Sequence, residues 1–160
     1  AAAALVNGGI YNAPSLVSKR AGDEIIGKRV ISKKTSDVMR GMMRLVVTEG
    51  SGRKANVPGF EVGGKTGSAQ KLVNGKYVGN TLRTSFVSAF PMDNPQYVLM
   101  VMLDAPKGIK ETYNLNTAAW NAVPTAEKII ATVAPQLGVT PRPYESKQIA
   151  PYVKAALNAR

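Results

Sequence analysis

Gly63-Gly64-Lys65-Thr66-Gly67-Ser68-Ala69-Gln70-Lys71 puts two lysines, two hydroxyls and three glycines on one predicted strand. Strands normally avoid glycine, which has no side chain to pack and loses the most entropy when ordered. Three glycines within five residues therefore imply that something approaches the backbone closely. Two hydroxyls and an ammonium beside that bare backbone suit an anion, and an exposed Ser68 N–H suits an oxyanion.

Working outward, Asn74-Gly75 is the strongest short hairpin signal and predicts that the strand turns back there. Residues 82–90 and 96–103 read as two more strands, with Pro91-Met92-Asp93-Asn94-Pro95 as their turn, which makes a three-stranded antiparallel meander. The last of these, Tyr97-Val98-Leu99-Met100-Val101-Met102-Leu103, is apolar throughout, so it is expected to be central and covered on both faces.

Upstream, residues 1–6 form a helix stopped by Asn7-Gly8-Gly9. Residues 10–17 and 24–31, separated by Ala21-Gly22-Asp23, suggest a small hairpin, with Pro14 placing its first piece at an edge. Ser36-Asp37 offers a helix cap. Val38, Met39, Met42, Met43, Leu45, Val46 and Val47 then recur at helical spacing up to Gly50-Ser51-Gly52, with Arg40 and Arg44 on a more polar side and the methionines as core. Downstream, residues 107–116 are a polar loop. Residues 117–137 read as a helix with Trp120, Val123, Ile129, Ile130 and Val133 as its apolar stripe, and Pro124 restricted to the first turn. The proline-bearing segment 141–160 is expected to be an extended tail, its Tyr144 and Tyr152 carrying no functional signal. The fold class is α+β, an antiparallel sheet covered by helices.

The 160 residues suit one domain and contain no histidine and no cysteine. That excludes a Ser-His-Asp triad, histidine metal sites and thiol chemistry, so nucleophilic chemistry would need lysine as its base. No cofactor or metal is expected. The net charge of +11 is uneven: residues 1–90 carry 14 basic and 5 acidic side chains, the remainder 7 and 5. The bases are scattered with little aromatic interleaving, which argues against nucleic acid and for a solvated surface.

Lys65-Thr66-Gly67 resembles the Lys-Thr-Gly element of penicillin-binding proteins and serine β-lactamases, whose other signatures are Ser-x-x-Lys and Ser-x-Asn. Asn7-Gly8-Gly9, the helix ending Val46-Val47-Thr48-Glu49-Gly50-Ser51-Gly52, residues 63–71, Thr84-Ser85-Phe86-Val87-Ser88-Ala89-Phe90-Pro91 and residues 98–106 extend the likeness. In order and spacing, residues 1–140 resemble the C-terminal part of a class B penicillin-binding-protein transpeptidase domain, the division-specific kind.

The resemblance implies a peptidoglycan D,D-transpeptidase that cross-links stem peptides and is acylated by β-lactams. In that family an active serine attacks the D-Ala-D-Ala carbonyl, and a lysine one helical turn later takes its proton. The acyl-enzyme then passes to an amine of a second stem. Carried over, Lys65 tunes proton transfer and supplies positive charge. Thr66 and Ser68 hold the substrate carboxylate, the Ser68 N–H forms half of the oxyanion hole, and Gly67 keeps the strand open to a substrate that adds as a strand. Thr is commoner than Ser at position 68 in the family, but the hydroxyl is kept. Tyr77 and Tyr113 are further candidates for the cleft wall.

Ser-x-x-Lys occurs as Ser51-Gly52-Arg53-Lys54 and Ser68-Ala69-Gln70-Lys71, but one is in a glycine loop and the other on a strand, where residues three apart face opposite ways. Ser-x-Asn is absent. Both signatures precede Lys-Thr-Gly in the family. The expectation is therefore a C-terminal piece, inactive alone, whose nucleophile belongs to the N-terminal part of the same protein. The family implies a membrane glycosyltransferase and division proteins as partners, at the periplasmic face of the bacterial inner membrane. The alternatives are a serine β-lactamase and a noncatalytic penicillin-binding-like domain.

Overall fold

The computed structural model describes residues 1–17 and 27–142. The expected turn at residues 21–23, the start of its second strand, and nearly all of the expected tail lie outside the described residues.

Helix α1 (Ala2–Val6) leads into a two-stranded antiparallel ribbon, β1 (Ile10–Tyr11) and β2 (Lys28–Arg29), with Ile10 opposite Arg29. Helix α2 (Lys33–Thr48) follows. Its cap is Ser32, whose hydroxyl accepts from the Thr35 N–H at 3.0 Å, and not Ser36 as expected. Ser36 lies one turn inside the helix, fully buried, where its hydroxyl donates to Leu5 O and accepts from Gly8 N–H, tying the end of α1 onto α2. The apolar spacing holds for Met43 and Val47, which are buried, while Met42 is exposed. Arg44 is not a surface charge: its guanidinium donates to Asn56 Oδ1 at 2.9 Å and Val62 O at 2.7 Å, fastening the segment that leads into the sheet.

The sheet is the expected meander of β3 (Gly63–Val73), β4 (Lys76–Phe90) and β5 (Tyr97–Asp104), in the order β3-β4-β5. Asn74 and Gly75 form a two-residue loop with φ of 50° and 76°, the left-handed pair a tight hairpin requires. The register sets Lys65 opposite Val87, Thr66 opposite Phe86, and Ser68 opposite Thr84.

The expectation for the last strand is corrected. Among the described residues the central strand is β4; β5 lies at an edge and alternates in burial. Val101 is buried and Tyr97, Leu99 and Leu103 pack against the core, whereas Val98, Met100 and Met102 are 43%, 57% and 56% exposed.

Helix α3 (Ala122–Gln136) covers the face bearing Phe86, Phe90 and Val101. It is shorter than expected, because a 3-10 helix, Ala118–Trp120, precedes it and Asn121 caps it. Pro124 does fall in the first turn. The buried stripe runs through Val123, Ala126, Ile130 and Ala134, so alanines supply half of it and the helix lies close to the sheet. Val133 and Trp120 are only partly buried. Buried Thr84 donates to Asn121 Oδ1 at 2.8 Å, which also accepts from the Ala122 N–H, pinning the start of α3 to β4. A second cluster of Val6, Met43, Ala89 and Met92 joins α1 and α2 to the opposite face.

Candidate functional site

The outer edge of β3 has no strand partner among the described residues. Two of its three glycines answer to the protein's own packing. A β-carbon on Gly63 would lie 3.1 Å from the Arg44 nitrogen in the α2 backbone and would collide with Met92; one on Gly64 would strike the Phe86 ring and lie 2.7 Å from Val87 O. The close approach read from the sequence is therefore partly helix α2 itself. A β-carbon on Gly67 would meet only Ser85 Oγ, at 2.7 Å, and this position is partly open.

Strand alternation separates the side chains. Thr66 and Ser68 share the face of Phe86 and Thr84, at the margin of the layer that α3 covers. Each hydroxyl has a partner there. Thr66 Oγ1 lies 2.8 Å from Ser51 Oγ, in the turn after α2, and Ser68 Oγ accepts from the Ala118 N–H at 3.0 Å. Lys65 starts on the other face, is exposed, and folds over so that Nζ donates to Thr66 O at 2.8 Å. Its ammonium thereby sits beside the Thr66 backbone.

An aromatic and cationic rim adjoins this edge. Lys54, in the 3-10 helix Arg53–Ala55, holds Nζ 3.6 Å from the Trp120 ring centroid. Tyr113 meets Trp120 edge to face at 5.7 Å, is 77% exposed, and has φ of 53°. For a bulky residue that conformation costs on the order of 1 kcal/mol. Tyr77 is placed differently. It pairs with Leu72 near the hairpin, 72% exposed, and four residues of strand put Leu72 about 13 Å beyond Ser68. The structure thus brings Lys65, Thr66, Gly67, Ser68 and Tyr113 into one neighbourhood and leaves Tyr77 at its far end. Ser51, Lys54 and Trp120 belong to the same neighbourhood. Sequence reading met the first two in a rejected Ser-x-x-Lys, Ser51 also in the stop after the helix, and the third as helix core.

Both Ser-x-x-Lys copies are split in space. Ser51 turns to Thr66 while Lys54 lies on Trp120. Ser68 turns to Ala118, while Lys71 reaches Asp104 across the sheet, with Nζ to Oδ2 at 2.8 Å. Arg83 joins this pair through Nε at 3.3 Å from Asp104 Oδ1. The Lys71 hydrogen bond, aided by Arg83, holds the Asp104 carboxyl below the usual carboxylate range, against the opposing effect of desolvation. No group of three or more potential metal-ligating side chains occurs among the described residues.

Residues 1–130 match the family model described as the penicillin binding protein transpeptidase domain. Stage V sporulation protein D of Bacillus subtilis is 38% identical over 152 residues, 89% of this chain and 23% of that protein. The probable peptidoglycan D,D-transpeptidase FtsI of Caulobacter vibrioides is 38% identical over 145 residues, 85% of this chain and 25% of that protein. Among solved structures, the ligand-free transpeptidase domain of penicillin-binding protein 3 from Burkholderia pseudomallei superposes with a TM-score of 0.76 at 30% identity, covering 88% of this chain and 41% of that one. The chain thus spans about a quarter of the length of these two sequence relatives.

Proposed function

This chain belongs to the penicillin-binding-protein transpeptidase family, and from that membership we propose that it supplies the Lys-Thr-Gly strand of a peptidoglycan D,D-transpeptidase. The observation that carries the reading is the open β3 edge, where the Thr66 and Ser68 hydroxyls are held from behind beside the Lys65 ammonium. Such an edge takes an extended peptide as an added strand, with hydroxyls and ammonium meeting its carboxylate. Lys65 tunes proton transfer, Thr66 and Ser68 bind the terminal carboxylate of a stem peptide or the carboxylate of a β-lactam, and the Ser68 N–H donates to the oxyanion. Tyr113 walls the cleft; Tyr77 borders only its distant end.

The nucleophile is proposed to come from another part of the polypeptide, because neither Ser-x-x-Lys copy here juxtaposes its serine and lysine. The transpeptidase part ends near residue 140, with residues 141–160 as a tail. The setting is cell-wall synthesis outside the cytoplasm, at the outer face of the inner membrane, beside a glycosyltransferase and division proteins. Among the described residues no helix is long and apolar enough to cross a membrane.

Labelling with a fluorescent penicillin, then denaturing electrophoresis and intact mass, tests this. The expected result is no label on this chain alone and a label on a serine outside it when the complete polypeptide is used. A penicilloyl adduct on Ser51, Ser68 or another serine of this chain would overturn the reading.

A further inference from the structure

A hydroxyl offers one proton and two lone pairs, and how the lone pairs are occupied decides where the proton goes. Ser68 is settled by the backbone. The Ala118 N–H can only donate, so it fills a lone pair of Ser68 Oγ and leaves the Ser68 proton for an anion. Thr66, two residues earlier on the same face, has no backbone donor among the described residues; its partner there is Ser51 Oγ at 2.8 Å. We propose that Ser51 is a positioning residue, which donates to Thr66 Oγ1 and so directs the Thr66 proton to the substrate carboxylate.

The opposite polarity, with Thr66 donating to Ser51, would turn lone pairs toward that carboxylate. An anion at the edge therefore selects Ser51 as donor. The two hydroxyls then act alike, each with its acceptor side filled from behind, one by a main-chain N–H and the other by a side chain.

Ser51 is held firmly enough for this. The Gly50 and Gly52 N–H groups both donate to Val46 O, at 3.1 and 2.9 Å, wrapping the turn onto the end of α2. Gly52 is buried, and a β-carbon there would press on Val46 O and the Val47 side chain at 3.1 to 3.2 Å. Arg44 fastens the other end of the loop to Asn56 and Val62. A site held by such a supporting shell keeps its geometry without reorganisation on binding.

The inference rests on the reading of β3 as the substrate strand, and a charge-specific experiment separates the two. The complete polypeptide carrying this chain is acylated with benzylpenicillin and, separately, with its methyl ester, which lacks the carboxylate charge. Ser51→Ala is expected to slow acylation by the acid roughly 5- to 10-fold, the scale of one ordinary hydrogen bond, and to leave the ester within about twofold. Ser51→Thr restores the acid rate. Thr66→Val lowers the same ratio, and adding Ser51→Ala to it lowers the ratio no further. If Ser51→Ala slows acid and ester equally, the serine only ties the loop to the strand and the inference fails. The inference also fails, with the strand reading intact, if Thr66→Val lowers the ratio and Ser51→Ala does not. If Thr66→Val leaves the ratio unchanged, β3 does not hold the carboxylate and the reading itself is overturned.

Discussion

The three-stranded sheet has two edges of opposite character. The β3 edge is built from glycine, hydroxyls and an ammonium, and each hydroxyl has a hydrogen-bonding neighbour behind it. The β5 strand turns Val98, Met100 and Met102 outward with no cover among the described residues. Polar groups fixed in advance suit a chain that arrives and leaves, because little ordering remains to be done on binding. Exposed branched and thioether side chains suit a permanent contact, since each loses solvent-exposed apolar area only when something stays on it. On the proposed reading, the sheet has one edge suited to turnover and another strand suited to lasting contact, with β4 between them.

The largest expected effect is on the turnover edge. Lys65→Ala in the complete polypeptide should reduce the penicillin acylation rate by about 100- to 1000-fold, the range of a lost proton-transfer and charge-stabilising group. The thermal midpoint should hardly move, since Lys65 is exposed and its ammonium bonds to the adjacent carbonyl. A fall of less than about tenfold would remove Lys65 from the chemistry and leave the edge a binding surface only.

Next comes the apolar side. Met102→Lys in this chain alone should change stability by no more than about 0.5 kcal/mol, as for an exposed position. In the complete polypeptide the same change should cost roughly 1 to 3 kcal/mol, because a charge would be pressed into an apolar contact. Thermal or urea unfolding of the two preparations gives the comparison. Equal effects in both would mean that nothing covers β5, and the contrast between the edges would lose its meaning.

The two edges also differed in how far the sequence revealed them. The turnover edge was legible because its signals are local: Asn74-Gly75 fixes the hairpin, and a glycine-rich run with paired hydroxyls marks β3. Part of that signal had another cause, since Gly63 and Gly64 make room for α2 and Phe86. The apolar edge was misread because an unbroken apolar run looks the same whether both faces are covered within the chain or one is not. The expected cap at Ser36 differs from the observed one at Ser32 for a related reason. Either serine can start a helix, and only the tertiary bond from Ser36 to Leu5 O shows that it is needed inside. Ser51 was visible only as part of a helix stop and a Ser-x-x-Lys string; its contact to Thr66, fifteen residues away, left no mark in the sequence.

The smallest expected effect concerns the link between the edges. Asp104, at the end of β5, accepts from Lys71 on β3 and Arg83 on β4, so one carboxylate spans all three strands. Its folded-state titration is lowered, chiefly by the Lys71 hydrogen bond. A lowered carboxyl contributes stability that is fully present above its unfolded titration range and is lost as pH falls through the folded one. Acidification should therefore bring down the thermal midpoint of the native chain more steeply than that of Asp104→Asn, with the two curves converging at the acid end. The gap at neutral pH should be modest and should shrink in high salt, because all three charges are partly exposed and screened. Acylation of the complete polypeptide supplies the sharper reading. If the tether keeps β3 in register for its substrate, Asp104→Asn should also slow acylation a few-fold at neutral pH, and salt should do the same to the native protein. Parallel pH curves with unchanged acylation would show that the edges are mechanically independent, and that β4 alone holds the polar strand in place.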